Sequence, residues 1–140
     1  MSLNLSSFIK AIQALEKAVN LAHTYRQRQN FSKDEFDVIR AGVIQNFELT
    51  YELSWKFMKR WLEINFSSVY VDGLPRKELF RMAAESRLIT RVRKWFRYNE
   101  LRNETVHAYD EKKANEVFES TKDFLQDARE LLSNLEKKND

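Results

Sequence analysis

Residues 32–65 read SKDEFDVIRAGVIQNFELTYELSWKFMKRWLEIN, and this stretch decides the fold class. Phe36, Ile39, Val43, Phe47, Tyr51, Ser54, Phe57, Trp61 and Ile64 recur three and four apart with no proline among them. That is the period at which side chains fall on one face of an α-helix. Ser32 opens the run as a capping box with Glu35: the serine oxygen accepts from the third backbone amide, and the glutamate reaches back. About 33 residues rising about 1.5 Å each make a rod of roughly 50 Å, the longest element and the expected spine of a bundle.

Outward from this rod the same period continues. Phe8, Ile12, Leu15, Val19 and Ala22 form the apolar face of a first helix over about Leu5 to Arg28, ended by Gln27-Arg28-Gln29-Asn30. After the rod, Ser67, Ser68, Asp72 and Gly73 mark a loop. Pro75 suits the first turn of a short helix carrying Leu79, Phe80 and Met82 to about Glu85. Thr90 is the expected cap of a helix holding Val92, Trp95, Phe96 and Leu101. A break is expected at Ala108 to Asp110, with Asp110 capping a last helix whose seam is Ala114, Val117, Thr121, Phe124, Ala128, Leu131 and Leu135. The expectation is a single all-α domain over residues 1–140, an antiparallel up-and-down helical bundle of four to five helices with a frayed tail at 137–140. The seams of the second and last helices exceed what one bundle needs, which predicts a homodimer.

Composition narrows the chemistry. Two Gly and one Pro among 140 residues are too few for the turns of an all-β fold, and 43% apolar residues suffice for a core without disulfide or metal. With no Cys and only His23 and His107, thiolate zinc sites, a cysteine nucleophile and a three-histidine zinc site are excluded. Magnesium on carboxylates is the one metal chemistry left open at this point. There is no glycine-rich phosphate loop, no Asp-x-Asp after a Gly-Ser turn and no spacing that singles out a Ser-His-Asp triad. The chain is therefore not itself a standard nucleotidyltransferase. The start MSLNLSSFIK lacks the long apolar core of a signal peptide, and no window is apolar enough for a membrane span, so a soluble cytoplasmic protein is expected.

Net charge is only +3, but it is unevenly spread. Arg76, Lys77, Arg81, Arg87, Arg91, Arg93, Lys94 and Arg97 face only Glu78 and Glu85 within residues 76–97, whereas residues 104–140 are net acidic. Such a basic run is either a solvated face or a phosphate-binding surface, with Arg91, Arg93, Lys94 and Arg97 as candidates for RNA or phosphate contact. Trp55, Trp61 and Trp95 sit at helical spacing and read as core or interface rather than as a base-stacking platform. His23 has no partner motif near it.

Arg102-Asn103-Glu104-Thr105-Val106-His107-Ala108-Tyr109 is the segment with chemical potential. On a continuous helix Asn103 and His107 lie roughly 40° apart, and Arg102 lies roughly 140° from His107, a gap that a long arginine partly closes where the helix ends. A guanidinium, an amide, an imidazole and a phenol at one helix end suit a phosphodiester. Arginine neutralises phosphoryl oxygens, asparagine orients, and histidine moves a proton near neutral pH. The bland alternative is a histidine bonding terminal carbonyls and Arg102 paired with Glu100 or Glu104 on a solvated face.

Arg102-Asn103-x-x-x-His107-x-Tyr109 resembles the Arg-x4-His-x-Tyr signature of the HEPN superfamily. Upstream, residues Val43 to Lys56, Pro75 to Leu79 and Trp95 to Arg102 resemble the branch known as nucleotidyltransferase substrate-binding proteins, and the likeness runs in order over about residues 5 to 135. Leu101 stands where that branch often carries an acidic residue, and Arg40-Ala41-Gly42 lacks the Asp that commonly follows the arginine. The resemblance implies a homodimerising bundle that associates with a separately encoded minimal nucleotidyltransferase. In the HepT-type toxin branch it implies a metal-independent, cofactor-free ribonuclease with Arg102, Asn103 and His107 as catalytic residues. There the partner silences the enzyme by adding AMP to the motif tyrosine, here Tyr109. The alternative it implies is a non-catalytic adaptor that binds a substrate or nucleotide for the partner.

Overall fold

The computed structural model describes residues 2–139. Six α-helices follow one another: α1 (Ser6–Arg26), α2 (Lys33–Asn65), α3 (Ser68–Val71), α4 (Arg76–Glu85), α5 (Val92–Glu104) and α6 (Glu111–Lys138), with a 3-10 turn (Thr105–His107) between the last two. The five longer helices are those the periodicity predicts, and α3 is a single turn inside the expected loop. Among the described residues no helix is long and apolar enough to cross a membrane.

Cross-helix contacts fix the directions. Tyr25 donates its hydroxyl to Glu35, and Thr50 donates to the Ala11 carbonyl at 3.2 Å, so α1 runs antiparallel to α2. Asn99 of α5 bonds Tyr51 and Arg102 pairs with Glu48, which sets α5 antiparallel to α2. Arg91 and Lys94 meet Asp127 and Asp123, setting α5 antiparallel to α6. The helices α1, α2, α5 and α6 therefore alternate in direction along the chain, as in an up-and-down bundle.

The spine forms as its sequence dictates. Ser32 is extended, and its hydroxyl accepts from the Glu35 amide at 3.3 Å, but the expected return bond from Glu35 is not made: the Ser32 amide donates to the Tyr25 hydroxyl at 3.2 Å, and the Glu35 carboxylate accepts from that hydroxyl instead. Phe36, Val43, Phe47, Tyr51, Ser54 and Phe57 are buried, but beyond Phe57 the core side drifts to Met58 and Leu62. Trp61 is half-buried and Ile64 exposed, because a straight helix turns past a strict seven-residue repeat over several turns. The centre of the bundle is aromatic: Phe124 lies edge-on to Phe47 at 5.0 Å, Tyr98 at 5.1 Å and Trp95 at 5.8 Å. Edge-to-face pairs of this kind add about 0.5–1.5 kcal/mol each beyond area burial.

Several local expectations are corrected. Thr90 does not cap α5; its hydroxyl and amide bond Glu130 of α6, and Arg91 occupies the cap position with no side-chain cap. Pro75 precedes α4 as its cap residue rather than entering its first turn. The break after α5 comes at Thr105, where the chain tightens into the 3-10 turn, three residues before the expected site. Thr105 marks the change: its backbone N–H and its hydroxyl, at 2.7 Å, both donate to the Arg102 carbonyl three residues back, the bonding step of a 3-10 turn. Asp110 does cap α6, accepting from the Lys112 and Lys113 amides. Lys137 and Lys138 belong to α6 rather than to a frayed tail, and the Asn139 side chain is clamped to both backbone groups of Leu3 at 2.7 and 2.9 Å. Asp140 lies outside the described residues. The α6 seam is buried throughout within one chain, so it holds nothing in reserve for a second copy.

Candidate functional site

The motif segment straddles the end of α5. Leu101, fully buried, anchors it to the core, which is why an apolar residue suits that position here. Arg102 follows on the flank facing α2, with its side chain 29% exposed. Its Nη1 lies 3.3 Å from Glu48 Oε2 and 3.1 Å from Thr105 Oγ1, to which it donates, and its Nε lies 3.3 Å from Glu52 Oε1. The Nε contact is an ion pair without hydrogen-bond alignment, for that buried N–H has no acceptor along its axis. The predicted local partners, Glu100 and Glu104, are taken elsewhere: Glu100 accepts from Arg97, and Glu104 lies 3.9 Å from Lys113 Nζ.

Asn103, His107 and Tyr109 are exposed, and none donates or accepts a side-chain hydrogen bond among the described residues. The His107 and Tyr109 rings lie 6.2 Å apart, edge to face, and Tyr109 is 86% exposed. The early break carries His107 off the α-helix into the 3-10 turn, so the helical angles expected between Arg102 and His107 do not apply. A shallow cavity of about 180 Å³ lies beside this turn, lined by Asp37, Arg40, Ala41, Ile44, Glu48, Thr105, Ala108 and Ala114. Arg40 is buried there, donating to Asn115 at 2.7 Å and to Asp37 at 3.2 Å.

The four candidates for phosphate contact diverge. Arg91 is committed to the fold: Nε and Nη2 each reach one oxygen of Asp127 at 2.9 Å, and the Tyr98 hydroxyl bonds the same carboxylate. Burial and that carboxylate push the Tyr98 phenol well above its ordinary range. Lys94 pairs with Asp123 at 3.0 Å, and Arg97 with Glu100 at 3.2 Å. Arg93 is exposed and has no carboxylate partner among the described residues. Of the basic run, Arg91, Lys94 and Arg97 thus reach carboxylates of the acidic α6. His23 packs on Phe118 at 5.7 Å, and partial burial lowers its pKa.

Sequence reasoning missed Glu48 and Glu52. The signal was present: with Trp55 they stand at i, i+4 and i+7 on one face of α2. Nothing in the spacing says that α5 delivers Arg102 to that face.

An all-helical up-and-down bundle that presents Arg-x4-His-x-Tyr where α5 breaks defines a class of helical domain, and the comparisons with known proteins agree. The chain belongs to the family described as nucleotidyltransferase substrate binding protein like, whose model matches residues 3–137. A probable ribonuclease HepT of Haemophilus influenzae is 41% identical over 106 residues, 74% of this chain and 71% of that protein. A Haemophilus influenzae protein, its structure described as revealing the fold of a substrate binding domain of a nucleotidyltransferase, matches with a TM-score of 0.86 and 34% identity, over 95% of this chain and 99% of that one. A protein of Thermus thermophilus matches with a TM-score of 0.63 and 27% identity, over 86% and 98% of the two chains.

Proposed function

We propose that this chain is the HEPN-type subunit of a two-component, toxin-antitoxin-like module, paired with a separately encoded minimal nucleotidyltransferase. In this reading Arg102, Asn103 and His107 make a metal-independent endoribonuclease site. The observation that carries the reading is the contrast within one short segment: Arg102 is held in place by α2, while Asn103, His107 and Tyr109 beside it stand exposed with no side-chain hydrogen bond among the described residues. Polar groups left free next to a fixed cation suit a ligand that brings its own charge and acceptors.

Cleavage by attack of a ribose 2′-hydroxyl on the adjacent phosphorus needs a base for that hydroxyl and an acid for the leaving 5′-oxygen. One chain offers one motif histidine, so the reading takes His107 from each of two copies, one as base and one as acid. Arg102 counters charge on the pentacoordinate phosphorus, and Asn103 orients the phosphodiester. The dimer is supported by a stripe on α2 that the fold leaves open. Val38 and Leu49 are exposed, eleven positions apart and thus roughly 20° apart around the helix, with Gly42 and Gln45 between them. Gly42 has no neighbour within 4 Å of where a side chain would begin, so the fold of one chain gives no steric reason for a glycine there. A second backbone approaching that face supplies one. The partner regulates the site by transferring AMP from ATP to the exposed Tyr109 hydroxyl, which gives up its proton as the phenolic oxygen bonds the α-phosphorus and pyrophosphate leaves, placing bulk and negative charge beside the site.

A second reading, an adaptor that binds substrate or nucleotide for the transferase, draws on the description of the Haemophilus influenzae structure. One experiment separates the two. RNA incubated with the purified chain in EDTA is cleaved in the first reading, and His107→Ala abolishes cleavage while leaving the helical circular dichroism intact. RNA that stays whole with the wild-type chain, with and without divalent cations, favours the adaptor.

A further inference from the structure

Glu48, Glu52 and Trp55 share one face of α2, and three helices close a ring of contacts around them. The Glu52 carboxylate is divided: Oε2 accepts from the Trp55 indole N–H at 3.1 Å, and Oε1 lies 3.3 Å from Arg102 Nε. The Arg76 guanidinium, entering at the start of α4, lies over Trp55 with its carbon 3.6 Å from the ring centroid. Arg76 also donates to the Tyr51 hydroxyl at 3.2 Å, and that hydroxyl donates to Asn99 at 2.7 Å, one turn before Arg102 on α5. The chain of contacts therefore leaves α5 at Arg102, passes through Glu52, Trp55, Arg76 and Tyr51, and returns to α5 at Asn99.

We propose that Glu52 is a positioning residue: its carboxylate, oriented by Trp55 under the Arg76 guanidinium, sets where the Arg102 guanidinium stands at the end of α5. The inference rests on Arg102 belonging to the functional site. Two features give it content. The Glu52–Arg102 contact lacks hydrogen-bond alignment, so it acts through charge, and a neutral amide of the same shape does not replace it. Glu48 and Glu52 together offset the charge of Arg102, so an arriving phosphodiester meets a fixed but partly neutralised cation. Removing one carboxylate frees the arginine and makes the site more attractive to anions. Orientation and affinity are thus set against each other, which a merely structural residue would not do.

The test is Glu52→Gln, with Trp55→Phe as a second variant that keeps the ring under Arg76 and loses the indole N–H. With RNA as substrate, Glu52→Gln is expected to lower kcat about tenfold while KM holds or falls, and Trp55→Phe to act in the same direction by about threefold. A kcat and KM both unchanged, or a KM that rises at constant kcat, overturns the proposal. A readout independent of turnover is the Trp55 indole resonance in a proton–nitrogen correlation spectrum, identified by its loss in Trp55→Phe. Arg102→Ala is expected to shift it and Asn103→Ala to leave it in place; an indole resonance unmoved by Arg102→Ala overturns the proposal. If the resonance shifts but wild-type RNA is never cut, the positioning role stands and the ribonuclease reading alone falls.

Discussion

Arg91 and Arg102 stand at the two ends of α5, and each faces carboxylates from another helix, yet they are held in opposite ways. Arg91 meets Asp127 as a two-pronged fork, both bonds at 2.9 Å, on a carboxylate only 3% exposed that Tyr98 also bonds. Every strong group there has a partner with good geometry, so the arrangement holds α5 against α6 and offers nothing to a ligand. Arg102 is split between Glu48 and Glu52 at 3.3 Å, both carboxylates about a third exposed, with an unaligned N–H and three exposed motif side chains alongside. The same residue type is thus spent on the fold where its bonds are complete and left open, as the proposed site requires, where they are not.

The comparison is most sharply tested by deletion. Arg91→Ala leaves a buried carboxylate with only the Tyr98 hydroxyl, and about 3 kcal/mol of stability is expected to be lost in urea unfolding. Arg102→Ala removes ion pairs that water already screens, and less than about 1 kcal/mol should go. Equal losses for the two variants would erase the distinction.

Alkaline titration probes the same two ends through their tyrosines. Burial pushes Tyr51 up to about 12, with Arg76 beside it limiting the rise, whereas Tyr98 is pushed higher still because burial and the Asp127 carboxylate act together. Both folded values lie above the unfolded one, so their contribution to stability is complete below about pH 10 and declines as the unfolded chain alone releases protons above it. Absorbance at the phenolate band should show Tyr51→Phe removing a titration step near pH 12, and unfolding followed from pH 9 upward should show stability falling. A stability that rises over that range contradicts the assignment.

The smallest expected effect lies on the open stripe of α2. Gly42→Ala meets nothing within 4 Å, so the single chain should gain about 0.5–1 kcal/mol from helix propensity. Sedimentation of Gly42→Leu at micromolar concentration should at the same time show weaker self-association than wild type, if a second backbone approaches there.

Much of the fold was legible because helix formation is local. The Ser32 cap, the Asp110 cap and the α6 seam depend on residues within a few positions of one another, and they stand where the pattern placed them. Thr90 misled because a threonine before a helix also bonds a glutamate from across the bundle when one is in reach, here Glu130, 40 positions away. Of the candidate site, the motif residues were legible as a cluster of types, but the break at Thr105 was not, since a threonine whose amide and hydroxyl both bond the carbonyl three residues back looks like any helical threonine in the sequence.

By itself the sequence determined an all-helical chain, the lengths of its main helices, the apolar seam that each buries over most of its length, and which short segment carries the motif histidine and tyrosine. Tertiary structure alone decided that Arg91 is spent on Asp127, that Arg102 is delivered to Glu48 and Glu52, and that Trp55 and Arg76 stand behind them. The physical reason is range. Apolar periodicity is written into each helix over a single turn, whereas the pairing of long charged side chains depends on how far one helix has slid and rotated against another. That register is fixed by the aromatic core around Phe124, which no single segment contains.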